Sequence, residues 1–409
     1  MIGALRRLIA EPTAPARRRL RARVGDLSRD LRMLKGSLLG NHPAPFRERQ
    51  GANLALAHGL LEARVVQVSA IVHETADCVS LVLEDATGDP FSFKAGQFFT
   101  VVVRIEGKEY RRAYSASSAS MATDKVTITV KRVDGGVVSN FIHDSVACGT
   151  RLELLGPSGD FVVPPAVLGS SGPRTLLMIA GGSGITPIAS ILRSVLATDD
   201  VTKFVLVYGS RSSAEIIFAR ALNALTEAYP ARLKVVHVVG TAAPGEVGHV
   251  GVLDRDGLAV VLDAEGVALE AIDGCYVCGP EPMMDPAREC LEARGVSATR
   301  IMVERFLAPR PPAADARATE PHTLMLRSKG RSLEVVVMPG QTLLEAAIAA
   351  GAAVPFSCTM GGCGACKVKK LAGDVAMAEP NCLTAAERAE GAVLACVACA
   401  LSNVEVEVA

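Results

Sequence analysis

Residues 175–192 read TLLMIAGGSGITPIASIL, a stretch without a single charge. Its length lies at the lower edge of what crosses a bilayer, so it is either a membrane span or the interior of a globular core. Gly181, Gly182, Gly184 and Pro187 decide between them. Three glycines and a proline divide the run into an apolar strand, a turn and the start of a helix. We therefore read it as a soluble, buried strand–loop–helix unit.

The surroundings extend that reading. From Arg174 to about 307, buried-looking strands (TLLMIAG, FVLVYGS, KVVHVVG, CYVCGP) alternate with helical stretches such as PIASILRSVLA and DPARECLEARG. Alternating β and α elements predict a doubly wound α/β domain with a parallel sheet. Upstream, from about 62, ARVVQVSAIV, CVSLVLED, FFTVVVRI, KVTITVKRV and RLELLGPSG read as short alternating strands separated by turns. That rhythm predicts an antiparallel barrel or sandwich. Downstream, APRPPAADARATEP (308–321) has no apolar period and reads as a semi-stiff linker. The last segment, 322–409, opens with two strands joined at Lys329-Gly330, then a helix around TLLEAAIAAG and a cysteine-rich loop, which makes a small α+β domain.

Composition agrees with several folded domains. Hydrophobic residues are 49% and charged residues 21% of 409, and 43 basic residues balance 43 acidic ones, so no global charge draws the chain to nucleic acid. The opening MIGALRRLIAEP is interrupted by Arg6 and Arg7 and is too short in its apolar run for a secretory signal. Of 11 cysteines, six fall in the last 52 residues, which points to a local metal or redox site in a reducing, cytoplasmic compartment. Residues 1–61 form a basic extension. Leu20, Val24, Leu27, Leu31, Leu34 and Leu38 make one helical stripe flanked by arginines. The stripe packs on the protein's own body, or residues 16–39 make a peripheral contact with an anionic inner membrane face or a partner helix.

The cysteine loop, CTMGGCGACKVKK (358–370), spaces Cys358-x4-Cys363-x2-Cys366, and Cys396 follows after 29 residues. This is the plant-type [2Fe–2S] pattern, C-x4-C-x2-C…C. Gly361, Gly362 and Gly364 supply the backbone freedom for N–H groups to approach sulfur. A zinc ribbon from Cys363-x2-Cys366 and Cys396-x2-Cys399 competes, but its interval is long and it leaves Cys358 without a task. The cluster is favoured. Cys382 and Cys399 are then small packing residues, and Lys367 and Lys369 share one strand face as a solvated edge or a docking patch. Residues 322–409 resemble a plant-type ferredoxin domain throughout, with Val397 in place of a glutamine common after the fourth cysteine.

Two upstream motifs complete a larger resemblance. RRAYSASS contains Arg112-Ala113-Tyr114-Ser115, flanked in order by KAGQFFTV, DGGVVSNFIHD and GPSGDF. Together these resemble the ferredoxin–NADP+ reductase superfamily. That resemblance implies that Arg112 holds flavin phosphate, Tyr114 stacks on the isoalloxazine and Ser115 hydrogen-bonds near flavin N5. Gly136 and Ser139 match the phosphate-binding turn at a helix start. GGSGITP (Gly181–Pro187) resembles the family's nicotinamide-nucleotide loop, which assigns Gly182, Gly184, Thr186 and Pro187 to the dinucleotide. CGPEPMM (Cys278–Met284) implies that Cys278, with Gly279 and Pro280, positions hydride transfer. VERF implies that Glu304 and Phe306 approach the flavin. YGSRSS (208–213) lacks the acidic residue that would hold an NAD ribose, and Arg211 stands as a 2′-phosphate ligand, a tilt toward NADPH.

The resemblance covers 62–409 and implies a multidomain electron-transfer flavoprotein: an antiparallel β-barrel flavin domain (62–168), an α/β doubly wound nicotinamide domain (169–307), the linker (308–321) and an α+β β-grasp ferredoxin domain (322–409), behind the helical N-terminal extension. NAD(P)H would deliver a hydride to the flavin (FAD favoured, FMN the alternative), with Ser115, Cys278 and Glu304 at the reacting centre. Single electrons would then reach the [2Fe–2S] cluster and an acceptor metalloprotein. Family relatives feed oxygenases, hydroxylases, membrane desaturases and hybrid-cluster proteins, and the basic extension leans toward a membrane-associated acceptor. A redox-sensing module with a regulatory cluster is the reading from a different class.

Overall fold

The computed structural model describes residues 64–121, 124–168, 172–242, 248–306, 318–328, 330–356, 358–379 and 381–408. The expected helical extension (1–61) and the 308–317 part of the expected linker lie outside the described residues.

The first sheet holds β1 (Arg64–Thr75), β2 (Cys78–Asp85), β3 (Phe98–Ile105), β4 (Lys108–Ser115), β5 (Lys125–Lys131) and β6 (Arg151–Ser158) in the order β4-β3-β6-β1-β2-β5. Neighbouring strands in it all run antiparallel. Ala116, just past β4, bridges Ile128 of β5, so the two edge strands meet. Alternation does its work on the inner face, where Val66, Val68, Leu81, Leu83, Val101, Ile128 and Leu154 are almost fully buried. One strand escapes the sequence pattern. KEYRRAYS (β4) lacks apolar alternation, yet it pairs along all of β3, setting Arg112 opposite Val101 and Tyr114 opposite Phe99.

The second sheet holds β7 (Arg174–Gly181), β8 (Thr202–Ser210), β9 (Leu233–Val239), β10 (His249–Val250), β11 (Gly274–Gly279) and β12 (Ile301–Arg305), in the order β10-β9-β8-β7-β11-β12. Each neighbouring pair is parallel. Helices Ile185–Thr198 and Ala219–Ala228 pack on one face, and Arg255–Ala264 and Glu281–Ala293 on the other. Residues 175–192 become β7, a short 3-10 turn and the start of helix Ile185–Thr198. The central strands read as continuous apolar runs because both faces are covered. Burying each Leu, Ile or Met of β7 contributes about 1.5–3 kcal/mol. Pro187 lies in the first helical turn, where a missing N–H costs no intrahelical bond.

The third unit is a mixed sheet of β13 (His322–Ser328), β14 (Arg331–Val337), β15 (Lys367–Ala372), β17 (Ala392–Leu394) and β19 (Val404–Glu407), ordered β14-β13-β19-β15-β17. β16 (Val375–Met377) pairs separately with β18 (Ala398–Ala400). Helix Leu343–Ala349 covers the sheet, and a capping box fixes its start: Glu345 N–H donates to Thr342 Oγ1 while Thr342 N–H donates to Glu345 Oε2. Among the described residues no helix is long and apolar enough to cross a membrane.

The first two units share an interface. Phe161, beyond β6, meets Tyr276 of β11 edge-on at 5.4 Å. Ser190 and Ser194 of helix Ile185–Thr198 hydrogen-bond to Ser118 O and Ser120 N. The Gly182–Gly184 turn after β7 contacts β5, whose Ile128 bridges Ala116 just past β4.

Candidate functional site

The turn after β7 and the turn after β11 are built against each other. A Cβ at Gly184 would lie 2.1 Å from Cys278 O, and one at Gly279 would lie 2.5 Å from Met283 Cε and 3.0 Å from Gly181 N. Only glycine fits at 184. Pro280 Cδ stands 2.7 Å from where a Gly181 Cβ would be. Thr186 donates its hydroxyl to Ser183 O at 2.9 Å, closing the turn from the helix side. Gly182, with φ +50 and nothing within 4 Å of a Cβ built there, accepts the Tyr208 hydroxyl at its carbonyl at 3.0 Å. These turns lie at the carboxyl ends of parallel strands, where α/β sheets bind ligands.

Cys278 has Ala180 of β7 on one side and Glu304 of β12 on the other. It is fully buried, and burial pushes its thiol well above the ordinary value, with the Glu304 charge adding to the shift. Such a thiol stays protonated and is a poor nucleophile. Burial also pushes the Glu304 carboxyl up to about 8, with a further contribution from Asp160. Phe306 leaves its ring 46% exposed at the end of this strand.

On the flavin side, Ser115 is buried and its Oγ has no hydrogen-bond partner among the described residues. A buried orphan hydroxyl at the end of β4 is what a flavin ring nitrogen or oxygen would satisfy, so the residues fit the group. Tyr114 is half-buried, and burial raises its phenol. Gly136 caps helix Val137–Ser145. It donates its N–H to Val133 O, and a Cβ there would lie 2.6 Å from Ser139 Oγ. Ser139 Oγ accepts from Val133 N–H, so Gly136 and Ser139 shape the turn while the helix start presents the positive dipole end.

In the third unit the four expected cysteines converge as two pairs. Cys363 lies within hydrogen-bonding reach of Cys358, and Cys366 within reach of Cys396. Cys358 Sγ accepts from Met360 N–H at 3.4 Å and from Gly362 N–H at 3.3 Å, and Cys363 Sγ accepts from Ala365 N–H at 3.4 Å. The Cys363 thiol, with the Met360 and Gly362 N–H groups, holds the Cys358 thiol below its ordinary value against its burial. Two thiol pairs with inward-pointing amides suit two irons sharing four thiolates. Gly361 (φ +72) lets the loop turn under Val397, whose methyls would lie 3.1–3.3 Å from a Cβ at this position. Cys382 and Cys399 are half-buried nearby.

Several residues that complete this region carry no local sequence signal. Met360, at the tip of the cysteine loop, meets Arg112 Nη1 at 3.5 Å across 248 residues of chain. Asp160, in the turn after β6, acts on both Glu304 and Lys367. Lys367 is ion-paired to Glu387 at 2.8 Å, so it is not an isolated positive charge. Arg211 is not isolated either: its Nε donates to Glu215 Oε2 at 2.5 Å and it meets Asp77 Oδ2 at 3.1 Å. Only a spatial map brings these groups together.

Comparison with known proteins gives three family matches along the chain. Residues 62–163 match the oxidoreductase FAD-binding domain, 178–289 the oxidoreductase NAD-binding domain and 326–401 the 2Fe-2S iron-sulfur cluster binding domain. The chain is 34% identical to the ferredoxin reductase component of the 3-ketosteroid-9-alpha-monooxygenase of Rhodococcus rhodochrous, covering 82% of this chain and 93% of that one. It is 31% identical to the reductase component of the glycine betaine monooxygenase of Pseudomonas aeruginosa, over 81% and 92% of the two chains. Phthalate dioxygenase reductase shares the fold, with a TM-score of 0.56 at 23% identity over 85% of this chain and 97% of that one. The chain belongs to the flavoprotein reductases of the ferredoxin–NADP+ reductase family that carry FAD, an NAD-binding domain and a C-terminal [2Fe–2S] domain, the oxygenase-reductase type. The matched family settles the metal as an iron–sulfur cluster rather than zinc, and the flavin as FAD.

Proposed function

We propose that the chain is the reductase component of a multicomponent oxygenase, drawing electrons from NAD(P)H and delivering them singly to a terminal metal-containing oxygenase. The observation that carries this is the meeting of three sites: the Gly184–Cys278 contact, the orphan Ser115 hydroxyl, and the cluster loop resting through Met360 on Arg112. Bound FAD takes an electron pair as hydride and releases it one electron at a time, which nicotinamide does not readily do.

The chain's own residues supply position and charge. Gly182, Gly184, Thr186 and Pro187 form the dinucleotide turn, and Gly279 and Pro280 face it. Cys278, held as a thiol, supports the nicotinamide ring without bonding to it. Ser115 donates its hydroxyl near flavin N5, Tyr114 and Phe306 cover the ring, and Arg112 with the start of helix Val137–Ser145 holds flavin phosphate. Burial keeps the Glu304 carboxyl largely protonated at neutral pH, which limits negative charge beside an incoming hydride. Cys358, Cys363, Cys366 and Cys396 would hold the [2Fe–2S] cluster. We take domain limits of 62–168, 169–307 and 322–409, with a barrel for the first and a β-grasp for the last. The Arg-rich, leucine-striped pattern of 16–39 supports a peripheral contact with the inner membrane face; no co-sedimentation of the intact protein with anionic vesicles would remove that part. Purified protein mixed with a multicomponent oxygenase from the same cell should sustain NAD(P)H-dependent substrate oxidation. Cytochrome c reduction without any oxygenase turnover would point to another acceptor.

A further inference from the structure

The tip of the cysteine loop reaches out of its own unit. Thr359, between Cys358 and Met360, has φ +55, a left-handed conformation that a β-branched residue rarely adopts. Its hydroxyl donates to Cys358 O at 2.7 Å and holds that turn. Met360 follows, half-buried, and makes two contacts. Its N–H donates to Cys358 Sγ at 3.4 Å, and its Sδ accepts from Arg112 Nη1 at 3.5 Å. The same Nη1 donates to Arg111 O at 2.7 Å, which ties the guanidinium to β4. One residue thus joins a cluster ligand to the arginine proposed to hold flavin phosphate. Across the same two units, Lys367 of β15 feels the charge of its partner Glu387 and also that of Asp160 beyond β6.

We propose that Met360 is the docking residue that holds the cluster-binding unit on the flavin unit, and so positions the cluster for electron transfer from FAD. The inference deepens the reductase reading above and rests on it. The step it serves takes one electron from reduced FAD and turns one ferric iron of the cluster ferrous; no bond is made or broken and no further reactant is needed. A thioether suits this contact. It is adaptable, and its sulfur is a weak acceptor, so it meets the guanidinium without neutralising it. A carboxylate at this position would compete with flavin phosphate for Arg112, and a cation would repel Arg112. The left-handed turn at Thr359 directs the Met360 side chain out of the loop; such strain persists where the surrounding structure enforces it.

The test uses the flavin- and cluster-loaded protein with Met360→Lys and Met360→Leu, at about 0.01 M and about 1 M salt, where charges are felt over about 30 Å and about 3 Å. Anaerobic stopped flow with NAD(P)H gives the rate of cluster reduction relative to flavin reduction in one trace. Against the wild type at the same salt, Met360→Lys should lower this ratio by about tenfold at low salt and by no more than about threefold at high salt. Met360→Leu, which keeps the bulk, should stay within about threefold at both. Amide exchange gives a reading that needs no turnover: at low salt Met360→Lys should speed exchange in β4 and in 359–365 and leave β7 and β11 unchanged. A wild-type ratio or wild-type exchange in Met360→Lys at low salt would overturn the proposal. So would a loss that salt does not reverse, since that marks a residue needed by the loop and not by the contact. If NAD(P)H failed to reduce the wild-type flavin, the reductase reading would fall, and the exchange comparison would still decide the docking.

Discussion

Replacing Gly184 by alanine would put a methyl group 2.1 Å from Cys278 O and 2.6 Å from Gly279 N. A comfortable C···O contact is about 3.3 Å or more, so the two turns must part by about 1 Å. Neither neighbour is a flexible side chain; both are backbone, held in register by β7, β11 and β12. Overpacking of this kind costs about 1–3 kcal/mol, and a displacement of about 1 Å at a reacting centre lowers rate by about a hundredfold. Gly182→Ala is the matched control, because its φ of +50 strains alanine but nothing lies within 4 Å of the new methyl. That strain costs about 1–2 kcal/mol and leaves Cys278 where it is. Anaerobic stopped-flow reduction of the flavin by NADH measures the difference. Gly184→Ala should lose about two orders of magnitude in kcat/KM with flavin and cluster absorption unchanged, and Gly182→Ala should lose about tenfold at most. A Gly184→Ala enzyme within about threefold of wild type would refute the close packing of these turns as the basis of nicotinamide placement.

Other outcomes follow from the same geometry. Glu304 is raised from 4.5 to about 8 in the folded protein, so its proton stabilises the fold fully below about 4.5, and that contribution is lost as pH rises through about 8. Thermal stability should therefore fall as pH rises from about 4.5 to about 8 in the wild type and level off above, and Glu304→Gln should flatten that part of the profile. Cys396→Ser should remove the visible cluster absorption while NADH still reduces the flavin; retention of an intact cluster would contradict the ligand set. Arg112→Ala should weaken flavin retention by about 10–100-fold, read by dialysis, as expected for loss of a charge-assisted phosphate contact. Thr342→Ala removes a buried capping box and should lower stability of the cluster-binding unit by about 1–2 kcal/mol in denaturant melts followed at the cluster.

What the sequence showed was what local chemistry writes into it. The 175–192 run, the glycine turns and the four cysteines are each dictated by neighbours in the chain. β4 was legible only as a short motif, because Arg111 and Arg112 interrupt the apolar alternation by which a strand is recognised. The ion pairing of Arg211 was not legible: Asp77 is 134 residues away and belongs to another domain. An isolated Arg in YGSRSS invites a phosphate, and only the fold shows which carboxylates already hold it. The same holds for Met360 against Arg112, and for Asp160 beside Glu304. Such contacts arise from domain packing, which leaves no period in the sequence.

The central claim is an ordered path from nicotinamide through FAD to the cluster within one chain. Its most direct test is an anaerobic single-turnover experiment with NADH, following flavin and cluster absorption together in wild type and in Arg112→Ala protein stripped of flavin. The account predicts flavin bleaching first, cluster reduction after it in the wild type, and no cluster reduction by NADH in the stripped protein until FAD is restored. Reduction of the cluster by NADH at the wild-type rate without flavin would contradict it.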